Sequence, residues 1–136
     1  QKVINRLVPL MEPLLETRDG RTRARFHQDV KIGKIVLVST CGWWEMGNFG
    51  TVVRIAEEIA EDFSVEFAGA VLRPHAFLMK EGGELTAVGR GVQEAVRRAG
   101  YELVQVGRMK PETLEQVSRP LIEQEELRQS YNRDLE

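Results

Sequence analysis

The stretch with the most capacity for chemistry is Ser39-Thr40-Cys41-Gly42-Trp43-Trp44-Glu45-Met46-Gly47-Asn48. Two adjacent tryptophans offer flat apolar surface to an aromatic ring system. Gly42 and Gly47 allow backbone to approach a ligand closely. Free N–H groups at the start of a following helix favour carbonyl or anionic groups. Together these features suit an isoalloxazine or nucleobase better than a sugar phosphate alone. The same tryptophans would equally serve as packing anchors against a helix or a subunit interface, and one ring in each role satisfies both readings.

Other chemistries find less support. Cys41 lies between a strand and a helix start, where a thiol can become nucleophilic. It is the one cysteine in the chain, however, and neither His27 nor His75 is near it in sequence. It reads as a small half-buried loop residue, and no catalytic side chain is assigned. One cysteine and two isolated histidines do not make a metal set. His75 follows Arg73-Pro74 at the end of a strand, on the ligand-facing edge, and reads as an ordinary surface histidine. Neither G-x-G-x-x-G nor a P-loop lysine motif occurs. Glu81-Gly82-Gly83-Glu84 is a plain turn, and the arginines from Arg18 to Arg25 read as an exposed solvated loop.

The elements that must position the tryptophan loop follow from periodicity. Residues 34–40 form the best strand: Ile35, Val36, Leu37 and Val38 run without interruption between Gly33 and Gly42, the pattern of a strand covered on both faces. After the loop, Asn48 is the expected N-cap of a helix with Val52, Ala56, Ile59 and Phe63 on one face. Residues 65–72 form a second strand. This strand–helix–strand order calls for a parallel pair. Upstream, a helix is expected to about Val8, where Pro9 and then Pro13 break the pattern. Residues 17–33 read as an exposed polar excursion with a turn at Asp19-Gly20. Downstream, a helix over about 85–106 stops at Gly107, and Pro111 and Pro120 start helices at 112–118 and 121–135 within a C-terminal helical extension, 108–136.

The totals describe one domain spanning 1–136. An apolar share of 42% and a charged share of 29% are ordinary for a globular protein with a real core. A net charge of −2 offers no general attraction to nucleic acid or to an anionic membrane. The longest apolar runs fall far short of the roughly 20 residues a span requires. A single cysteine permits no internal disulfide, and residues 1–15 lack a signal-peptide cleavage site, so cytoplasm is the expected location. Two strands cannot hide a run such as Ile35–Val38, since open α/β sheets usually have about five or six. Further strands are therefore expected from residues absent here, which the Gln1 start favours, or from a partner chain.

Lys2-Val3-Ile4-Asn5-Arg6-Leu7-Val8-Pro9-Leu10, followed by Lys34-Ile35-Val36-Leu37-Val38 and the Ser39–Glu45 loop, resembles the flavodoxin-like NAD(P)H-dependent FMN reductases. The closest branch by this resemblance contains the iron–sulfur flavoproteins, and Arg73-Pro74-His75 also fits. The resemblance implies an α/β fold with a five-stranded parallel sheet and helices on both faces. The family's first strands and phosphate loop are missing, and so is the cysteine cluster of an iron–sulfur centre. It further implies FMN at the strand ends, with Ser39, Thr40, Cys41, Gly42, Trp43, Trp44 and Glu45 beside the ring and NAD(P)H as electron donor. Backbone N–H groups of Thr40–Trp43 would then face the ring's polar edge. A homo-oligomer (dimer or tetramer) and a redox partner protein complete the expectation. The competing reading is a flavodoxin-like interaction or oligomerisation module that binds no flavin.

Overall fold

A computed structural model describes residues 2–133; Gln1 and residues 134–136, including the expected helix end at Leu135, lie outside the described residues. The chain is mixed α/β and divides into two compact units, Gln1–Leu37 with Thr51–Gly69 and Val38–Gly50 with Ala70–Glu136. Among the described residues there are three two-stranded sheets, one of them a parallel pair.

In the first unit, α1 (Lys2–Leu7) passes into a 3-10 turn at Val8–Leu10. Pro9 has no N–H for a continuing helix, so the chain tightens and Met11 N–H donates to Val8 O at 3.1 Å. β1 (Glu16–Arg18) and β2 (Arg21–Arg23) form an antiparallel hairpin. Both turn residues have positive φ, 51° at Asp19 and 74° at Gly20, as a two-residue Asp-Gly connection requires. The turn falls where the sequence predicts it, but the segment is not a solvated excursion throughout. Arg23, Ala24 and Phe26 are buried. Phe26 stacks on Phe63 with centroids 4.8 Å apart, and Arg23 reaches Glu61 at 2.7 Å and also bonds to Asp62. These acids close α2 (Gly50–Asp62), whose Ala56 and Ala60 are buried. Carboxylates 38 or more positions away neutralise the guanidinium and permit its burial.

β3 (Lys34–Thr40) and β4 (Glu66–Arg73) form the parallel pair, and each strand lies partly in either unit. The expectation that Ile35–Val38 is covered on both faces is corrected here. Ile35, Val36 and Leu37 are half-buried and Val38 is 68% exposed. Among the described residues only β4 flanks β3, so its other edge has no strand neighbour.

The second unit holds the hairpin β5 (Lys80–Glu81) and β6 (Glu84–Leu85), then α3 (Ala87–Val106), α4 (Pro111–Ser118) and α5 (Gln124–Arg133). Thr86 caps α3 by accepting Gly89 N–H at 2.9 Å, and Gly107, at φ 77°, closes it with an N–H donated to Leu103 O at 2.9 Å. Gly89 is required by close approach: a Cβ there would lie 2.1 Å from the Met79 carbonyl oxygen. Val92, Ala95 and Ala99 from α3 and Val117 from α4 are fully or almost fully buried. Between the two helices Glu102 accepts hydrogen bonds from Lys110 N–H and Thr113 Oγ1, both at 2.8 Å. α5 begins three residues later than Pro120 suggests, with Leu127 N–H donating to Glu123 O at 3.0 Å. No helix among the described residues is long and apolar enough to cross a membrane.

Candidate ligand groove

The Cys41–Glu45 loop leaves the C-terminal end of β3 and is strapped to the turn that follows β4. Cys41 N–H donates to Arg73 O at 3.0 Å, Ala76 N–H to Cys41 O at 3.1 Å, and His75 N–H to Trp43 O at 3.3 Å. Within the loop, Trp43 N–H points to Cys41 Sγ at 3.2 Å. The amides of Cys41 and Trp43 are thus committed to the protein, and the expectation that they face a ligand is corrected. The backbone of the loop goes into holding its own shape, which fixes the tryptophans.

Those side chains line a groove of about 590 Å³ together with Glu45 and with Gln124, Leu127 and Tyr131 of α5. Trp43 is 66% exposed, and its ring centroid lies 6.4 Å from that of Tyr131 at 44°. Phe77 meets Tyr131 edge-on at 6.0 Å. At the rim, Gln124 Nε2 donates to one oxygen of Glu45 at 3.2 Å and Asn48 Nδ2 to the other at 3.2 Å. Asn48 is therefore not the N-cap of a helix. It sits in a 3-10 turn, Met46–Phe49, and its side chain holds Glu45. Arg128 also lines the groove and is paired with Glu125.

Of the seven expected site residues, Trp43, Trp44 and Glu45 are brought to the groove, whereas Ser39, Thr40, Cys41 and Gly42 do not line it. Ser39 and Thr40 end β3, and Cys41 is half-buried. α5 forms the opposite wall, which the sequence expectation leaves out. Its signal was the spacing of Leu127 and Tyr131, four residues apart on an otherwise polar helix.

His75 also departs from its expectation. The residue is 1% exposed, not a surface histidine, and takes a left-handed backbone with φ 51°. Its ring lies 4.6 Å from that of Trp44, and among the described residues neither ring nitrogen has a hydrogen-bond partner. Burial first, and then the charge of Arg73, push its pKa below the ordinary value, with Glu45 acting in the opposite direction. Arg73 is 3% exposed, and burial together with Arg119 lowers its pKa to about 10, so it stays charged at neutral pH. Among the described residues no three His, Cys, Asp or Glu side chains are grouped to hold a metal ion.

Comparison of the chain with models of known protein families, with curated proteins and with solved structures finds no match.

Proposed function

We propose that this chain belongs to a flavodoxin-like, FMN-dependent oxidoreductase or electron-transfer domain similar to the NAD(P)H-dependent FMN reductases, with the Trp43–Trp44 groove taking the isoalloxazine ring. The groove carries the reading. It opens where a loop leaves the C-terminal end of a strand in a parallel pair, the usual ligand position in open α/β sheets. Its walls are the indoles of Trp43 and Trp44, the Tyr131 ring and Leu127, apolar surfaces suited to a planar guest.

The residues present fit the ring portion of FMN. Trp43, exposed and tilted against Tyr131, offers a stacking face, and the Gln124 and Asn132 amides supply polar contacts. Glu45, held by Asn48 and Gln124, is an acceptor in a fixed position. FMN in such a site accepts hydride from NAD(P)H and passes electrons to an acceptor, so the protein's part is to seat and shield the ring. The same reading carries a cytoplasmic setting, a redox partner protein and a homo-oligomer with it.

A second reading is a flavodoxin-like association module without flavin, and the strand order favours it: among the described residues β3 has a strand neighbour on one side, β4, and an unpaired strand edge recruits another chain. Titration with FMN under tryptophan fluorescence separates the two. Saturable quenching with one FMN per chain supports the first. A flat titration, with dimers in sedimentation, supports the second and removes the flavin proposal.

A further inference from the structure

Arg73 and His75 are unusual among the charged and titratable groups of this chain. Arg73 is 3% exposed, and among the described residues no carboxylate forms an ion pair with it. Its Nη1 donates to Val117 O at 2.5 Å and Arg119 O at 2.8 Å, its Nε donates to Pro74 O, and among the described residues its Nη2 has no acceptor. Carbonyl dipoles satisfy hydrogen bonds without cancelling a full charge, and buried cations are ordinarily paired. The only other buried arginine among the described residues, Arg23, has carboxylates of Glu58, Glu61 and Asp62 around it.

His75, two residues along, adds a second unmet requirement. A neutral imidazole always presents one N–H donor and one acceptor nitrogen, and both are unpartnered in a side chain 1% exposed. Arg119 adds a second cation near Arg73. Among the described residues Glu45 is the one carboxylate that acts on His75, and its oxygens already accept from Asn48 and Gln124. The missing complement is thus an anion with several acceptor oxygens and one hydroxyl, as hydrogen phosphate carries, its hydroxyl facing the bare imidazole nitrogen. The cluster closes β4 at its C-terminal end, and His75 holds a left-handed backbone that costs a non-glycine residue stability.

We propose that Arg73 and His75 form an oxyanion site for a phosphate group, covered by the Trp44 indole and opened when that side chain turns into the adjoining groove. The covering contact is the 4.6 Å ring pair of Trp44 and His75, and Trp44 also borders about 590 Å³ of open volume into which an indole fits. The phosphate oxygens accept from Arg73 Nη2 and from the His75 N–H, as charge-assisted bonds. The phosphate comes either free from solution or as part of a molecule seated in the groove. The site stands on these two side chains and does not depend on the flavin reading.

The test uses the full chain with inorganic phosphate as probe, against chloride at equal ionic strength, followed by melting temperature and by the ring ¹⁵N resonances of His75. Phosphate should raise the melting temperature by several degrees beyond chloride and move both resonances. Trp44→Ala, lacking the cover, should bind phosphate more tightly, about tenfold if the cover costs a factor of that order. His75→Phe should lose most of the phosphate effect; if that variant does not fold, the wild-type resonances decide. Competition by FMN but not riboflavin assigns the site to a phosphate carried by a groove ligand, and competition by neither assigns it to free phosphate. Equal melting in both salts, with unmoved His75 resonances in wild type and Trp44→Ala, overturns the proposal. FMN quenching of the tryptophans in that same protein would leave the flavin reading standing.

Discussion

Trp44 and His75 lie with ring centroids 4.6 Å apart and planes at 53°, so a single indole both borders the groove and packs on a buried imidazole. Whatever disturbs the imidazole therefore reaches the groove wall.

The first consequence concerns pH. Burial and Arg73 hold the folded pKa of His75 below the usual 6.5, with Glu45 opposing. As pH falls, the unfolded chain takes up the proton first, which favours unfolding. The contribution of neutral His75 is complete above about pH 6.5 and declines as pH drops through that value and on through the lower folded pKa. Thermal melts between pH 8 and pH 5 should show a falling midpoint, and His75→Phe should flatten that part of the curve. An unchanged slope in the variant would place the titration elsewhere.

Stacking on the groove walls sets the expected loss of ligand affinity. Trp43→Ala and Tyr131→Ala should each weaken FMN binding about tenfold, the scale of a lost aromatic contact. Cys41→Ser should leave affinity within about twofold, since Cys41 does not line the groove and a serine oxygen can take over the Trp43 N–H. Fluorescence titration of the variants measures all three. A large effect at Cys41 would return the thiol to consideration.

The α3 contact with Met79 separates two glycines of one helix. Gly89→Ala forces a Cβ to within 2.1 Å of a backbone oxygen and should cost about 1–3 kcal/mol. Gly91→Ala meets only the far end of Arg119, at 3.6 Å, and should gain up to about 1 kcal/mol from helix propensity. Urea denaturation of the pair should give opposite signs.

Glu102 ties α3 to α4. The Lys110 N–H first, and Thr113 after it, hold its carboxyl below the usual carboxylate range against the effect of burial. Its contribution is present above pH 4.5 and is lost as pH falls through the lower folded value. Glu102→Gln should lower the melting midpoint at pH 7, and the gap to wild type should narrow on acidification. A constant gap would mean that the charge has no part in it.

Legibility from sequence followed the range of the interactions involved. Features set by neighbouring residues were readable: β3 spans the 34–40 expected of it, Pro9 breaks α1, Asp19-Gly20 makes the turn and Gly107 ends α3. Features set by distant partners were not. Arg23 looked solvated because its acids lie on another element, and His75 looked exposed because the indole that covers it belongs to a different loop. Half of the groove was legible as a tryptophan pair, while α5 gave only a weak two-residue stripe. The continuous β-branched run suggests an enclosed strand because composition reports what a strand prefers, and only tertiary neighbours decide what it receives.

The left-handed backbone at position 75 narrows what inheritance can try there. Glycine or asparagine would relax the main chain, yet neither brings a ring for the indole to rest on, while other aromatics keep the ring and retain the twist. Each single exchange surrenders one benefit to obtain another, so a saturation library should return few survivors at this codon and many on the outer face of the last helix. Variation that reshapes the groove would then enter from the side of Tyr131, leaving the histidine a fixed point around which specificity drifts.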